Sequence, residues 1–165
     1  MGYEHITHGF EPVYDTNSRI LILGSLPSVK SREQGFYYGH PRNRFWTVIA
    51  AIVNKPLPVT IPDKKRLLLD SGIAVWDVIS ECDIIGSADA KIKNAVPANI
   101  GKILDAADID KIFANGSTAA ALYRKHIQSV TGREIIALPS TSPANAAWST
   151  EKLIDEWRKH IFLAI

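Results

Sequence analysis

Four short runs of apolar residues are separated by segments whose apolar positions recur every three or four residues. The first run, about 19–25 (Arg-Ile-Leu-Ile-Leu-Gly-Ser), is apolar continuously rather than alternately, the pattern of a parallel strand covered on both faces. Residues 73–79, 111–115 and 134–138 read as strands in the same way. Helical spacing fills the gaps. Phe45, Val48, Ile49, Ile52 and Val53 mark a helix over about 43–54 that Pro56 and Pro58 stop. A helix over about 61–70 has Thr60 as its cap, Pro62 and Asp63 in its first turn and Gly72 just past its end. Further helices are expected over 99–107, over about 117–128 with Ser117 as cap, and from near Ser149, where Leu153, Ile154, Trp157 and Ile161 face inward. Residues 1–18 read as a lead-in of mixed polarity, with His5 and His8 at the surface and a turn at His8-Gly9-Phe10-Glu11-Pro12 that packs Phe10 on the domain. Residues 80–98 read as a polar loop.

Strands alternating with helices predict an α/β fold, a three-layer α/β/α sandwich around a four-stranded parallel sheet, because right-handed crossovers put helices on both faces. A length of 165 residues suits a single domain over 1–165. Ligands of such sheets sit beyond the carboxyl ends of the strands. The unusual loops, 24–43, 80–98, 115–117 and 139–148, all leave from those ends.

Composition excludes several classes. Lone Cys82 rules out an intrachain disulfide framework, an iron–sulfur cluster and a thiolate zinc site. No His/carboxylate cluster has metal-ligand spacing, so metal catalysis is not expected. The first residues lack a signal-peptide pattern and no apolar run approaches the ~20 residues of a membrane span, which makes a reducing cytoplasm the expected location. A net charge of +2 permits nucleic-acid binding without demanding it, since clustering counts for more than the sum. Nothing in the sequence suggests more than a monomer.

The chemistry concentrates in the loops. Ser25, His40, Asn43, Asp89, Asn115, Ser140, Ser142 and Asn145 converge there, with aromatic faces from Phe36, Tyr37, Tyr38 and Trp148 and cations from Lys30, Arg32, Arg42, Arg44, Lys91 and Lys93. No Gly-x-Ser-x-Gly elbow, P-loop or dinucleotide fingerprint occurs. Amide and hydroxyl groups beside aromatic faces and a basic rim suit a planar polar ring held next to a phosphate backbone, that is, a flipped nucleobase.

Two stretches carry a resemblance. Gly24-Ser25-Leu26-Pro27-Ser28, followed by Phe36-Tyr37-Tyr38-Gly39-His40-Pro41-Arg42-Asn43-Arg44-Phe45-Trp46, resembles the first motif of the uracil-DNA glycosylase superfamily, and His-Pro-x-Asn-Arg-Phe-Trp is shared with its mismatch-specific branch. That branch has Gly-Ile-Asn-Pro-Gly at the strand end; this chain places Ser25 where its catalytic Asn is expected and keeps Asn43. This pattern is similar to the hypoxanthine-DNA (DNA-deoxyinosine) glycosylase branch, whose second motif resembles Leu138-Pro139-Ser140-Thr141-Ser142-Pro143-Ala144-Asn145. Phe113-Ala114-Asn115-Gly116 and Gly86-Ser87-Ala88-Asp89 also look like that branch, and the resemblance spans nearly the whole chain.

The resemblance implies a uracil-DNA glycosylase-like fold and a monofunctional enzyme of base excision repair, with damaged DNA as partner. It would flip deoxyinosine out, hydrolyse the N-glycosidic bond, release hypoxanthine and leave an abasic site, with no metal or organic cofactor. It implies Asn43 and Ser25 as catalytic groups, with the Asn43 amide orienting the water or holding the base. Gly24, Leu26 and Pro27 would line the base, Tyr38 or Phe36 would stack on it, and Asn115 would read its edge. Ser140, Thr141, Ser142, Pro143 and Asn145 would meet DNA, with Pro143 to Trp148 entering the minor groove, and Arg42, Arg44, Lys91 and Lys93 would neutralise phosphates. Uracil or xanthine is the alternative base. Other classes are a silent DNA-binding domain of the same fold and an enzyme of free nucleosides.

Several of these residues have plainer readings. Asn43 is a favoured cap for the helix behind it. Asn115 suits a turn before Gly116, Arg44 suits a loop brace, and Asp89 suits a tie within its own loop. His40 is read as structural, Lys30 as solvated and Cys82 as buried and inert. Trp46, Trp76 and Trp157 lie on periodic segments and belong to the core, while Trp148 stands outside any periodic pattern.

Overall fold

The computed structural model describes residues 2–85 and 92–161. The central strand β2 (Ile20–Gly24) is buried at every position, as its unbroken apolar run demands. β3 (Ile73–Asp77) and β6 (Lys111–Asn115) flank it in parallel, and β7 (Ile136–Leu138) pairs with β6, giving the order β3-β2-β6-β7. Register aligns Gly24 with Asp77 and Asn115 with Leu138 at the carboxyl edge. β3 is an edge strand, and Val13 pairs with its middle residue, Val75, by two backbone hydrogen bonds of 2.9 Å.

Helices cover both faces. α2 (Phe45–Val53), α3 (Ile61–Asp70) and α7 (Thr150–Ile161) pack on the face carrying Ile20, Ile22, Val75 and Phe113. α4 (Gly101–Ala106) and α5 (Ser117–His126) pack on the face carrying Leu21, Leu23, Ala74 and Ile112. Local signals set the ends. The Thr60 hydroxyl accepts from Asp63 N–H at 3.2 Å, and Gly72 leaves α3 at φ 71°. The Ser149 hydroxyl accepts from Lys152 N–H at 3.2 Å to open α7. At α5 the cap position falls on Gly116, not Ser117, and no side chain caps it. Among the described residues no helix is long and apolar enough to cross a membrane.

The sequence reading misses a second sheet. β1 (Glu4–Thr7), β4 (Ile79–Ile84) and β5 (Lys93–Pro97) form an antiparallel sheet in the order β1-β4-β5, where a lead-in and a polar loop were expected. β4 buries Ile79, Cys82 and Ile84 and leaves Ser80, Glu81 and Asp83 partly exposed, so its polar side reads as loop. Its β1 partner lies more than seventy residues earlier, with Ile6 opposite Cys82, and no local pattern reveals that pairing. The sheet also corrects His8. The strand end carries it inward, and the residue is buried at 7% exposure.

Two short helices are also new: α1 (Val29–Gln34), capped by Ser28, and α6 (Gln128–Thr131). α1 lies inside the long loop after β2 and shapes one wall of the cavity described next.

Candidate active site

A cavity of about 480 Å³ opens at the carboxyl ends of the parallel strands. That volume is in the range of small-molecule sites. β2 delivers Gly24 and Ser25 to it, β3 delivers Asp77, β6 delivers Asn115, and the loop after β7 delivers Ser140 to Ala144. The long loop adds Leu26, Pro27, Tyr38, His40 and Asn43. The convergence expected from topology holds for the loops after β2, β6 and β7, whereas the described residues of 80–98 belong largely to β4 and β5 and line no part of the cavity.

Thr141 organises the polar wall. It is fully buried. Its hydroxyl donates to Asn43 Oδ1 at 2.7 Å and accepts from Asn115 Nδ2 at 2.9 Å, while its own N–H donates to Asn115 Oδ1 at 3.0 Å. A contact with DNA, as expected for Thr141, is ruled out by this burial. Its side chain instead fixes two amides. Asn115 is held at both ends of its amide, which leaves it little freedom to turn toward a base edge.

Asn43 is not the cap of α2, a position that falls on Arg44, but its side chain closes the turn in front of that helix. Its Oδ1 accepts from Phe45 N–H at 2.9 Å, an Asx-type closure of the turn that opens α2, and also from the Thr141 hydroxyl. Phe45 N–H can only donate, which fixes the amide orientation, and the Thr141 hydroxyl donates to the same oxygen. The end left for the cavity is Nδ2, a pure donor.

Arg44 braces the neighbouring loop. Its guanidinium donates to the carbonyls of Ser142 at 3.0 Å, Asn145 at 3.1 Å, Thr141 at 3.5 Å and Trp148. Four of the five guanidinium N–H donors are spent on carbonyls of one loop, so residues 141–148 take one shape. Within that loop Ser140 Oγ accepts from Ser142 N–H at 3.1 Å and Asn145 Nδ2 donates to the Ser140 carbonyl at 3.0 Å. Trp148 is half-buried against the core, and Trp157 Nε1 ties α7 to the Pro139 carbonyl at 2.9 Å.

The aromatic residues divide. Phe36 is buried, lies nearly parallel to Trp46 at 6.0 Å and does not line the cavity, so it cannot stack on a ring there. It lies on the core side of the loop. Tyr37 is also core, with its hydroxyl donating to the Glu11 carbonyl at 2.8 Å. Tyr38 reaches the cavity and stacks one ring face on Phe45 at 4.0 Å. Its φ of 52° is a left-handed conformation rare for an aromatic residue, of the kind that costs about 1 kcal/mol or more and gathers at functional sites. Its hydroxyl is buried without a well-formed hydrogen bond, offset only by a marginal contact with the Asn115 amide. Burial first, and the nearby Asp77 charge second, push its pKa far up, so the hydroxyl keeps its proton.

The sequence reading overlooks Asp77 and His8. Asp77, 3% exposed, is the one carboxylate among the described residues lining the cavity. Its Oδ2 lies 2.7 Å from His8 Nε2. Its Oδ1 sits over Gly24, where an added Cβ would stand 2.4 Å from that oxygen and 3.1 Å from the Tyr38 hydroxyl. Only glycine lets these two groups close on the strand end. The available signal was an acidic residue ending an otherwise apolar strand, Ile73-Ala74-Val75-Trp76-Asp77.

The remaining expected residues have plain places. Ser25, 9% exposed, Leu26 and Pro27 line the cavity. Matched position by position with Gly-Ile-Asn-Pro-Gly, the Asn falls on Leu26 rather than Ser25, so an apolar side chain stands there. His40 Nδ1 accepts from Arg42 N–H at 3.1 Å, which shapes the turn. Pro143 is exposed at the mouth, Arg42 is exposed one residue before the lining residue Asn43, and Lys30 at the rim pairs with Glu33 at 3.6 Å. Lys93 lies on β5 with its ammonium 4.6 Å from the Tyr3 ring centre, away from the cavity lining. Gly86, Ser87, Ala88, Asp89 and Lys91 lie outside the described residues.

Comparison with known proteins adds four findings. The family described as Uracil DNA glycosylase superfamily matches residues 11–162. A protein of Methanosarcina acetivorans named hypoxanthine DNA glycosylase is 32% identical over 153 residues, 92% of this chain and 96% of its own length. One of the same name from Methanosarcina barkeri is 33% identical over 138 residues, 83% of this chain and 87% of its own length. A solution NMR structure from Methanosarcina acetivorans, described provisionally as a uracil DNA glycosylase, superposes with a TM-score of 0.81 at 31% identity, covering 96% of this chain and 97% of that one.

Proposed function

The chain belongs to the uracil-DNA glycosylase superfamily, and from that premise we propose that it is a monofunctional DNA glycosylase that excises hypoxanthine from deoxyinosine. The base enters the cavity at the carboxyl ends of β2, β3, β6 and β7, and water cleaves its N-glycosidic bond to leave an abasic site. The observation that carries the reading is the Asn43 amide, pinned through Oδ1 by Phe45 and Thr141 so that its donor end serves the cavity.

Such a reaction leaves positive charge on the sugar and negative charge on the departing base. Donors fixed before reaction stabilise the departing base without reorganising. Asn43 Nδ2 and the Tyr38 hydroxyl are the donors assigned to this task. Ser25, with Gly24, Leu26 and Pro27, forms the wall against which the nucleotide lies. Asn43 cannot take a proton from water through its carbonyl, because that oxygen is already doubly engaged, so its part is binding the base rather than activating water.

DNA meets the mouth of this cavity. Ser140, Ser142, Pro143 and Asn145 present a loop that Arg44 holds in one shape, and exposed Arg42 supplies charge to a phosphate. A preformed loop enters a groove without the entropy cost of ordering it. Arg44 therefore serves DNA through the loop rather than by touching phosphate.

The test is a labelled duplex with one deoxyinosine, incubated with protein and then treated with alkali, beside uracil and xanthine duplexes. Strand cleavage at deoxyinosine, and free hypoxanthine in the supernatant, are the expected results. Salt-dependent DNA binding with no base released from any of the three would overturn the reading in favour of a silent binding domain. Equal turnover of free inosine would overturn it in favour of a nucleosidase.

A further inference from the structure

The buried His8–Asp77 pair has no part in the base release proposed for the cavity. Its protons can be placed from geometry alone. His8 Nδ1 lies 2.9 Å from the Phe10 carbonyl oxygen, which only accepts, so Nδ1 carries hydrogen. His8 Nε2 lies 2.7 Å from Asp77 Oδ2, and two lone pairs cannot face each other at that distance. One proton therefore sits between them, either as imidazolium with carboxylate or as neutral imidazole with carboxylic acid. Both arrangements put that proton on the Oδ2 side. Oδ1 is left as a pure acceptor in each, at the cavity floor over Gly24.

Resting on the reading of the cavity as a base pocket, we propose that Asp77 Oδ1, held by His8, determines specificity by accepting the ring imino N–H of a deaminated base. Hypoxanthine carries hydrogen on N1, and adenine carries a lone pair there. The same contrast separates uracil from cytosine at N3. Adenine in this pocket would set acceptor against acceptor, with no water to relieve either, and buried polar groups left unpaired are what give polar sites their strong rejection. The Tyr38 hydroxyl closes on the same glycine and supplies a donor beside the acceptor. A carbonyl next to an imino N–H, as in hypoxanthine, matches that donor–acceptor order. Guanine and thymine also carry an imino N–H, so their exclusion falls to the cavity walls and not to this pair. Asp77 touches the base; His8 acts through Asp77 and is a positioning residue.

The first test needs only the wild-type protein. Duplexes with deoxyinosine, deoxyadenosine and 1-methyldeoxyinosine, which lacks the N1 hydrogen, are compared for base release. Free hypoxanthine, adenine and 1-methylhypoxanthine are compared as inhibitors. Release of hypoxanthine, with the other two bases at least about 100-fold slower and weaker as inhibitors, is expected. The second test uses Asp77→Asn, whose amide can turn its donor end to adenine N1. The preference for deoxyinosine over deoxyadenosine should narrow about 100-fold. Adenine should become an inhibitor, a binding readout that survives loss of turnover. His8→Gln, which still donates to Oδ2, should keep the wild-type preference better than His8→Phe, which cannot. Equal release of 1-methylhypoxanthine and hypoxanthine by wild type would overturn the proposal while leaving the glycosylase reading intact. A uniform fall for Asp77→Asn on every substrate, with selectivity and adenine inhibition unchanged, would also overturn it. No release of hypoxanthine by wild type would fail the glycosylase reading itself.

Discussion

The two halves of the Asn43 amide do different work, and substitution can separate them. Oδ1 accepts from Phe45 N–H at 2.9 Å and from the buried Thr141 hydroxyl at 2.7 Å. Each such bond contributes about 1 kcal/mol net, and both donors lose their partner in Asn43→Ala. The expected destabilisation is about 2 kcal/mol, which lowers Tm by about 4–8 °C in a domain of this size. Asn43→Ala also removes the Nδ2 donor from the cavity. Loss of one fixed donor to developing charge costs roughly 10²–10³ in turnover. Asn43→Asp is the separating variant. A carboxylate oxygen accepts both existing bonds, so stability should stay within about 1 kcal/mol of wild type. Its second oxygen meets the base as an acceptor, so turnover on deoxyinosine should still fall by at least about 100-fold. Thermal melts and single-turnover base release on the same preparations measure the two effects. A stable Asn43→Asp protein that keeps more than about a tenth of wild-type turnover would refute the assignment of Nδ2, and an Asn43→Ala protein as stable as wild type would refute the assignment of Oδ1.

Three further outcomes are expected. Tyr38→Phe removes a buried hydroxyl that lacks a well-formed partner, so its stability should match wild type within about 0.5 kcal/mol while base release on deoxyinosine falls about tenfold or more; an unchanged rate would remove Tyr38 from the site. Arg44→Ala frees four loop carbonyls and should cost about 2 kcal/mol, expose the 139–148 segment to limited proteolysis and weaken duplex binding about tenfold. Arg44→Lys, which lacks the planar fork, should rescue little of this, and full rescue would show that charge alone matters. Burial raises the Tyr37 and Tyr38 pKa values far above 10, whereas the unfolded chain ionises both near 10. The unfolded state therefore binds fewer protons than the native state above pH 10. Stability should be unaffected by these groups below that pH and fall by up to about 1.4 kcal/mol per pH unit for each above it. Denaturant midpoints between pH 9 and 11, with phenolate absorbance followed in parallel, check this; ionisation of all five tyrosines in the folded protein would contradict it.

Sequence alone determined the parallel sheet, because a strand buried on both faces must be apolar throughout, and Ile20–Gly24 has no alternative use. It determined where the site lies, since βα topology sends the loops after Gly24, Asp77, Asn115 and Leu138 to one edge. It also marked Asn43, whose long flanking motif is local and readable in order. Tertiary structure decided what local pattern does not encode. The antiparallel sheet was invisible because β4 has one wet face and a partner strand more than seventy residues away. His8 reads as a surface residue until the end of β1 brings it to Asp77 across 69 positions. Thr141 reads as a loop hydroxyl until 98 positions of chain fold back to put it between Asn43 and Asn115. A buried polar group is settled by its partner, and these partners come from distant strands and loops, so the direction in which each amide, hydroxyl and carboxylate faces the cavity belongs to the fold.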